Sequence, residues 1–247
     1  MHIEVRGRGP DLVLLHGWAM HGGIFAPLVR RLADHFTLHL VDLPGHGGSR
    51  GDPGPLGGGD CARRIAAQTP PAIWLGWSLG GLVALEAALQ CPPAVRGLIM
   101  LAASPRFVAA DDWPHGVDAE VFRQFGRDLH GDYRRTLDRF LALETMGSTH
   151  MREELRFLRD HLFERGAPDE TVLEQGLAML ASSDYRHRLA EFAGPALWIA
   201  GRRDRLVPPG ALAWAAARMP GGHHALMAGA GHAPFLGEPD RVAAGQQ

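Results

Sequence analysis

The stretch Ile73 to Leu85, IWLGWSLGGLVAL, limits what this chain can fold into more than any other. Apolar residues of strand composition run into Gly76-Trp77-Ser78-Leu79-Gly80, and Leu82, Val83 and Leu85 continue as a helix-forming segment. The order is strand, sharp turn, helix. In such an elbow the serine is held at a strained backbone position, and a Cβ at either flanking glycine would collide with the neighbouring strand or helix. Ser78 then stands exposed at a helix N-terminus as a candidate nucleophile. A glycine-rich turn that merely contains a serine is the bland alternative, and the strand-to-helix context disfavours it.

The remaining pattern supplies the sheet that such an elbow needs. His2 to Arg6 alternates and reads as an edge strand, whereas Leu12 to Leu15 is a continuous apolar run, as expected of a strand buried on both faces. It ends in His16-Gly17-Trp18, which makes the Trp18 N–H a candidate oxyanion donor beside that of Leu79. Ile24 to Ala33 reads as a helix and Phe36 to Val41 as the next strand. The following loop, DLPGHGGS, lacks the spacing and the helix of a dinucleotide site, so Asp42 and His46 read as turn and surface residues. Gly51 to Asp60 reads as a mobile surface loop, Cys61 to Gln68 as a short helix, and Gly97 to Ala102 as another buried strand. From about Ser104 strands vanish until Pro195, and residues 105–185 read as a helical lid over the carboxyl edge of the sheet. Ala196 to Ala200 and His224 to Ala228 are the last strands. The expected architecture is therefore α/β: a mostly parallel sheet flanked by helices, with a core of 1–104 and 186–247 interrupted by the lid.

Composition narrows the function classes. All 25 basic residues are arginine, so a P-loop lysine and a Schiff-base lysine are excluded. A formal charge of −2 gives no bulk attraction to nucleic acid or a membrane surface. Cys61 and Cys91 are too few for a disulfide framework, and the N-terminal residues lack the apolar core of a signal peptide, so a cytoplasmic monomer is expected.

A serine hydroxyl becomes a useful nucleophile only when an oriented base takes its proton. Among 14 histidines, His232 follows the last strand in a glycine-flanked loop, and Asp204 follows the strand before it, on the same edge. The order Ser78, Asp204, His232 is the one an α/β-hydrolase sheet requires. His16, His39, His46, His223 and His224 read as loop or strand-end residues.

The HGW turn, GWSLGG elbow, GRRDRLVPP loop and AGAGHAPF loop resemble those of the α/β-hydrolase superfamily. More narrowly, LVLLHGW, FTLHLVDLPGHGGSRG, AIWLGWSLGGLVAL, DDWP and RFLALETMG are similar to the pimeloyl-[acyl-carrier protein] methyl ester esterase family of biotin synthesis. The resemblance implies an α/β-hydrolase fold, a serine esterase needing no metal or other cofactor, and an acyl-carrier-protein substrate. It implies Ser78, Asp204 and His232 as the triad, Trp18 and Leu79 at the oxyanion and substrate position, and Phe140, Leu141, Ala142, Leu143 and Glu144 along the acyl pocket. The chain departs from the pattern after Glu238-Pro239, where the closing helix looks short.

Within the lid, Tyr133, Leu137, Phe140 and Leu141 share one helical face and Met151, Leu155, Leu158 and Leu162 another. Most of these should pack the lid onto the core, leaving Phe140, Leu143 and Met146 to touch a substrate chain. Arg135 and Arg139, and Arg152 and Arg156, are like-charge pairs four apart, a spacing that costs about 0.2 to 0.5 kcal/mol per pair. A solvated helix face and a docking surface for an acidic carrier protein both fit them. A generalist short-chain carboxylesterase, a thioesterase, a C–C bond hydrolase and a ligand receptor that retains the triad remain as rival functions.

Overall fold

Short apolar runs closed by glycine or acidic turns become the strands of one seven-stranded sheet in the computed structural model, which describes residues 1–245. The strands are β1 (His2–Gly7), β2 (Asp11–Leu15), β3 (Thr37–Asp42), β4 (Ala72–Trp77), β5 (Val95–Leu101), β6 (Pro195–Gly201) and β7 (Gly221–Met227), in the order β1-β3-β2-β4-β5-β6-β7. Only β1 is antiparallel to its neighbour. A parallel interior strand must be apolar on both faces, and Leu12 to Leu15 are all buried.

Helices α1 (Ala26–Leu32), α2 (Asp60–Ala66), α3 (Leu79–Gln90) and α8 (Pro209–Ala216) flank the sheet. The expected helix from Ile24 starts as a 3₁₀ turn over Gly22–Phe25, and α1 begins only where Pro27 can occupy a first turn that needs no N–H. Helix α3 is apolar all round and correspondingly buried from Leu79 to Ala88. Helices α9 (Pro234–Gly237) and α10 (Pro239–Ala243) lie against α1, where Arg31 pairs with Asp240.

Between β5 and β6 the chain makes two isolated β-bridges, Val108 to Val117 and Ala110 to Trp113, and then four helices. These are α4 (Ala119–Gly131), α5 (Tyr133–Thr145), α6 (Met151–Leu162) and α7 (Glu170–Ser182). On α5 the expected apolar stripe is buried at Leu137, Phe140 and Leu141; on α6 Leu158 and Leu162 are buried but Met151 is exposed, because it sits at the helix start beyond the packed turn.

Three expectations are corrected. Asp42 and His46 are fully buried rather than surface residues, because Gly22, Gly48 and Arg165 close over the carboxylate and the loop folds back across the imidazole. The glycine-rich loop from Gly51 is anchored by Leu56, which inserts fully into the core. The last strand starts at Gly221, earlier than its apolar residues suggest, since backbone pairing with β6 extends it.

Candidate active site

Strain in the backbone concentrates at the carboxyl edge of the sheet. Among the described residues, the non-glycine positions with positive φ are Ala19, Ser78 and Ala102, which follow β2, β4 and β5. Ser78 has φ 53° and ψ −118°, outside the comfortable regions for an L-residue, and is held there by the strand before it and the helix after it. The glycines of the elbow are sterically required: a Cβ on Gly76 would lie 2.4 Å from the Gly80 carbonyl oxygen, and one on Gly80 2.2 Å from that of Leu15. The turn can therefore be this tight only with glycine at both places.

Loops from two other strand ends join the elbow at Ser78. His232, in the loop after β7, places Nε2 2.8 Å from the Ser78 hydroxyl, and its Nδ1 lies 2.7 Å from Asp204 Oδ2. Asp204 follows β6, and its other oxygen accepts the backbone N–H groups of Leu206 at 2.8 Å and Val207 at 2.9 Å. Both carboxylate oxygens are thus committed, so Asp204 can orient only one imidazole. All three side chains are buried. Burial alone would lower the His232 pKa, but the adjacent Asp204 charge outweighs it and the net shift is upward. This arrangement can accept a proton from a hydroxyl and hold the resulting imidazolium.

The His232 backbone is fixed from both sides. Its carbonyl accepts the Trp77 indole N–H at 2.8 Å, and its own N–H donates to the Glu144 carbonyl of α5 at 3.1 Å. Thr149 also donates to the Gly229 carbonyl, at 2.9 Å from its backbone and 3.1 Å from its hydroxyl. The end of α5 and the turn after it are therefore stitched to the histidine loop. These ties join residues remote in sequence, and no local pattern in the chain points to them.

The residues expected around the nucleophile fall in two groups. Trp18 is buried, its indole donating to the Leu173 carbonyl of α7 at 2.8 Å and stacking at a tilt on Phe140, centroids 4.5 Å apart. Helix α7 comes this close because Gly176 faces the indole; a Cβ there would sit 2.7 Å from Trp18. Leu79, Phe140, Leu141 and Glu144 are buried, Ala142 and Leu143 half-buried, and Met146 exposed. Arg135, Arg139, Arg152 and Arg156 are all exposed, and Arg139 pairs with Asp128 at 2.6 Å. These arginines stand outside the buried centre.

Against known proteins, residues 12–245 match the model of the alpha/beta hydrolase family. The chain belongs to that family. Curated relatives include the pimeloyl-[acyl-carrier protein] methyl ester esterase of Stenotrophomonas maltophilia strain R551-3, 62% identical over all of this chain and 95% of that protein. The protein of the same name from Xanthomonas oryzae pv. oryzae strain MAFF 311018 is 60% identical over 98% of this chain and 95% of its own length. Among solved structures, an esterase from Exiguobacterium antarcticum superposes with a TM-score of 0.84 at 22% identity, covering 98% of this chain and 92% of that one. An enol-lactonase from Burkholderia xenovorans LB400 gives 0.82 at 18% identity, covering 98% and 93%. Likeness at that identity speaks for the alpha/beta hydrolase fold alone. Among the described residues no helix is long and apolar enough to cross a membrane.

Proposed function

We propose that this protein is a serine carboxylesterase that hydrolyses the methyl ester of pimeloyl-[acyl-carrier protein], freeing the pimeloyl carboxylate and releasing methanol as a cytoplasmic step of biotin synthesis. The observation that carries the proposal is the hydroxyl–imidazole–carboxylate relay of Ser78, His232 and Asp204, in a chain 62% identical over its full length to a relative of that name. Ser78 attacks the ester carbonyl while His232 takes its proton; the imidazolium then protonates departing methanol, and water hydrolyses the acyl-enzyme by the same route. Asp204 holds the tautomer that keeps Nε2 free to accept. The Trp18 and Leu79 N–H groups receive the oxyanion. Residues 105–185 act as the lid, with Phe140 to Glu144 along the acyl chain and Arg135, Arg139, Arg152 and Arg156 facing the acidic carrier protein.

Replacing Ser78 with Ala should lower kcat on the carrier-linked ester by roughly four to six orders of magnitude with unchanged thermal unfolding. Near-normal turnover by that variant would eliminate the proposal. Reversing the four lid arginines to Glu should lower the ratio of carrier-linked to p-nitrophenyl ester turnover by about tenfold at low salt, and the difference should shrink as ionic strength rises. An unchanged ratio would remove the carrier protein from that face.

A further inference from the structure

The loop after β6 shows only one sign of charge to solvent. In Arg202-Arg203-Asp204-Arg205 the single acid turns inward, its oxygens committed to His232 and to two backbone N–H groups. Arg202, Arg203 and Arg205 are exposed, and none of them pairs with a carboxylate among the described residues. Other surface arginines do find partners, as Arg31 does with Asp240 and Arg188 with Glu191. The turn between α5 and α6 packs directly on this loop. Gly147, at φ 88°, comes so close that a Cβ would sit 3.0 Å from the Arg203 carbonyl oxygen, and the Arg203 guanidinium donates to the Gly147 carbonyl at 3.3 Å. A cavity of about 420 Å³ lies where they meet, lined by Gly147 and Arg202 to Arg205. The same turn leaves Met146 48% and Met151 42% exposed; among the described residues the only other large apolar side chain so exposed is Val5, on edge strand β1. Methionines left in water beside arginines mark a contact surface, because interfaces are enriched in both.

We propose that the α5–α6 turn and the loop after β6 form one docking surface for the acidic carrier protein, in which Met146 and Met151 seat an apolar side chain of a carrier helix and Arg202, Arg203 and Arg205 pair with its carboxylates. The proposal rests on the carrier-protein reading above and extends it from the helices α5 and α6 onto the core. Arg152, exposed at the start of α6 beside Met151, makes the new surface continuous with the arginines of those helices. Three unpaired cations on a chain of formal charge −2 create a local positive field, not a general one, which suits a small acidic protein. A nucleic acid fits less well, since exposed methionines add nothing to contacts with a phosphate backbone. The surface is also close to the chemistry. Thr149, in the same turn, binds the Gly229 carbonyl at the start of the histidine loop, so a carrier seated here stands one hydrogen bond from the segment that holds the base.

The test measures binding apart from turnover. Fluorescence anisotropy of labelled acyl carrier protein is followed with the Ser78→Ala protein as parent, and with the same protein carrying either Arg202→Glu and Arg205→Glu together or Met151→Ser. The charge reversal should weaken binding by about tenfold or more at low salt, and the gap should close as ionic strength rises. Met151→Ser changes no charge and should weaken binding about threefold at both salt concentrations. In the active protein the arginine substitutions should leave p-nitrophenyl acetate turnover within about twofold, since neither side chain touches the buried centre. Unchanged affinity in either variant overturns this surface while leaving the carrier-protein reading intact, and so does binding of a short DNA duplex as tight as that of the carrier. Absence of binding by the parent at low salt defeats the carrier-protein reading and this surface together. If the arginine substitutions abolish p-nitrophenyl acetate turnover, the Asp204 loop has moved and Met151→Ser decides alone.

Discussion

Two buried clusters of histidine and aspartate lie along the same edge of the sheet, and they differ in what each ring nitrogen touches. In one, His232 has a carboxylate on Nδ1 and a hydroxyl on Nε2, so protonation is favoured by a partner that can balance the charge. In the other, the His16 Nδ1 donates to the Gly17 carbonyl at 2.8 Å and its Nε2 accepts the Leu43 N–H at 3.0 Å, which fixes a neutral tautomer. His46, 5.0 Å away, donates to the Pro44 carbonyl at 2.8 Å. Asp42 binds neither of these two rings; it accepts the N–H groups of Gly22 at 2.6 Å and Gly48 at 2.8 Å, lies 3.1 Å from His2 Nδ1 and faces Arg165 at 3.2 Å. The same residue types therefore form a hydroxyl–imidazole–carboxylate chain in one place and anchor loops in the other. What separates them is the partner, not the amino acid.

The largest effect should come from making the same change in both clusters. Asp204→Asn keeps the shape but lets the imidazole adopt the wrong tautomer, and kcat should fall by about 10⁴-fold with little change in stability. Asp42→Asn leaves Arg165 paired with Glu4 at 2.7 Å but replaces one of the oxygens that accept the Gly22 and Gly48 N–H groups with an amide nitrogen, and should destabilise the fold by roughly 1–3 kcal/mol, while the folded fraction retains its turnover. Urea unfolding and active-site titration on both variants separate the two outcomes. If Asp42→Asn lost activity at full stability, the division into relay and anchor would break.

That division was only half visible in the chain. The elbow, the order Ser78, Asp204, His232 and the continuous apolar strands are local patterns, and local patterns survive without coordinates. Asp42 and His46 looked like surface turn residues because what buries them comes from elsewhere: Gly22 lies 20 residues before Asp42 and Arg165 lies 123 after it. Trp77 supports the His232 carbonyl across 155 positions. A sequence shows which groups could do chemistry; which of them is desolvated, and by whom, is decided by the packing of distant segments.

Acid should distinguish the clusters next. Burial lowers the His16 pKa to about 3 and that of His46 to about 4, against 6.5 when exposed, so the unfolded chain binds protons that the native state refuses. Stability from these rings is complete above pH 6.5 and is lost as pH falls toward 3. Asp42 adds to the loss at the lowest pH: burial alone would raise its pKa, but the nearby His16 ring, the Gly48 and Gly22 amides and Arg165 pull the carboxylate down, so its contribution fades as it is protonated. His232 works in the opposite sense. Its folded pKa is raised, so its contribution is present below the unfolded value and disappears as pH rises through the folded one. The urea midpoint of a His16→Gln variant should therefore vary less between pH 6.5 and 4 than that of the wild type, and an identical slope would show that His16 is not excluded from protonation.

The smallest effect tests the anchoring cluster from within. His16 joins two backbone groups, so His16→Leu strands both the Gly17 carbonyl and the Leu43 N–H and should cost about 2–4 kcal/mol. His46 satisfies one carbonyl only two residues away, and its Nε2 is buried without a partner, a loss already present in the native state. Replacing it with Leu removes that unsatisfied nitrogen along with a single local bond, and the two changes nearly cancel. His46→Leu should then shift stability by less than about 1 kcal/mol in either direction, measured by urea unfolding at pH 7. A loss as large as that of His16→Leu would mean that the His46 nitrogen has a partner in solution, and that the anchor depends on both rings rather than on one.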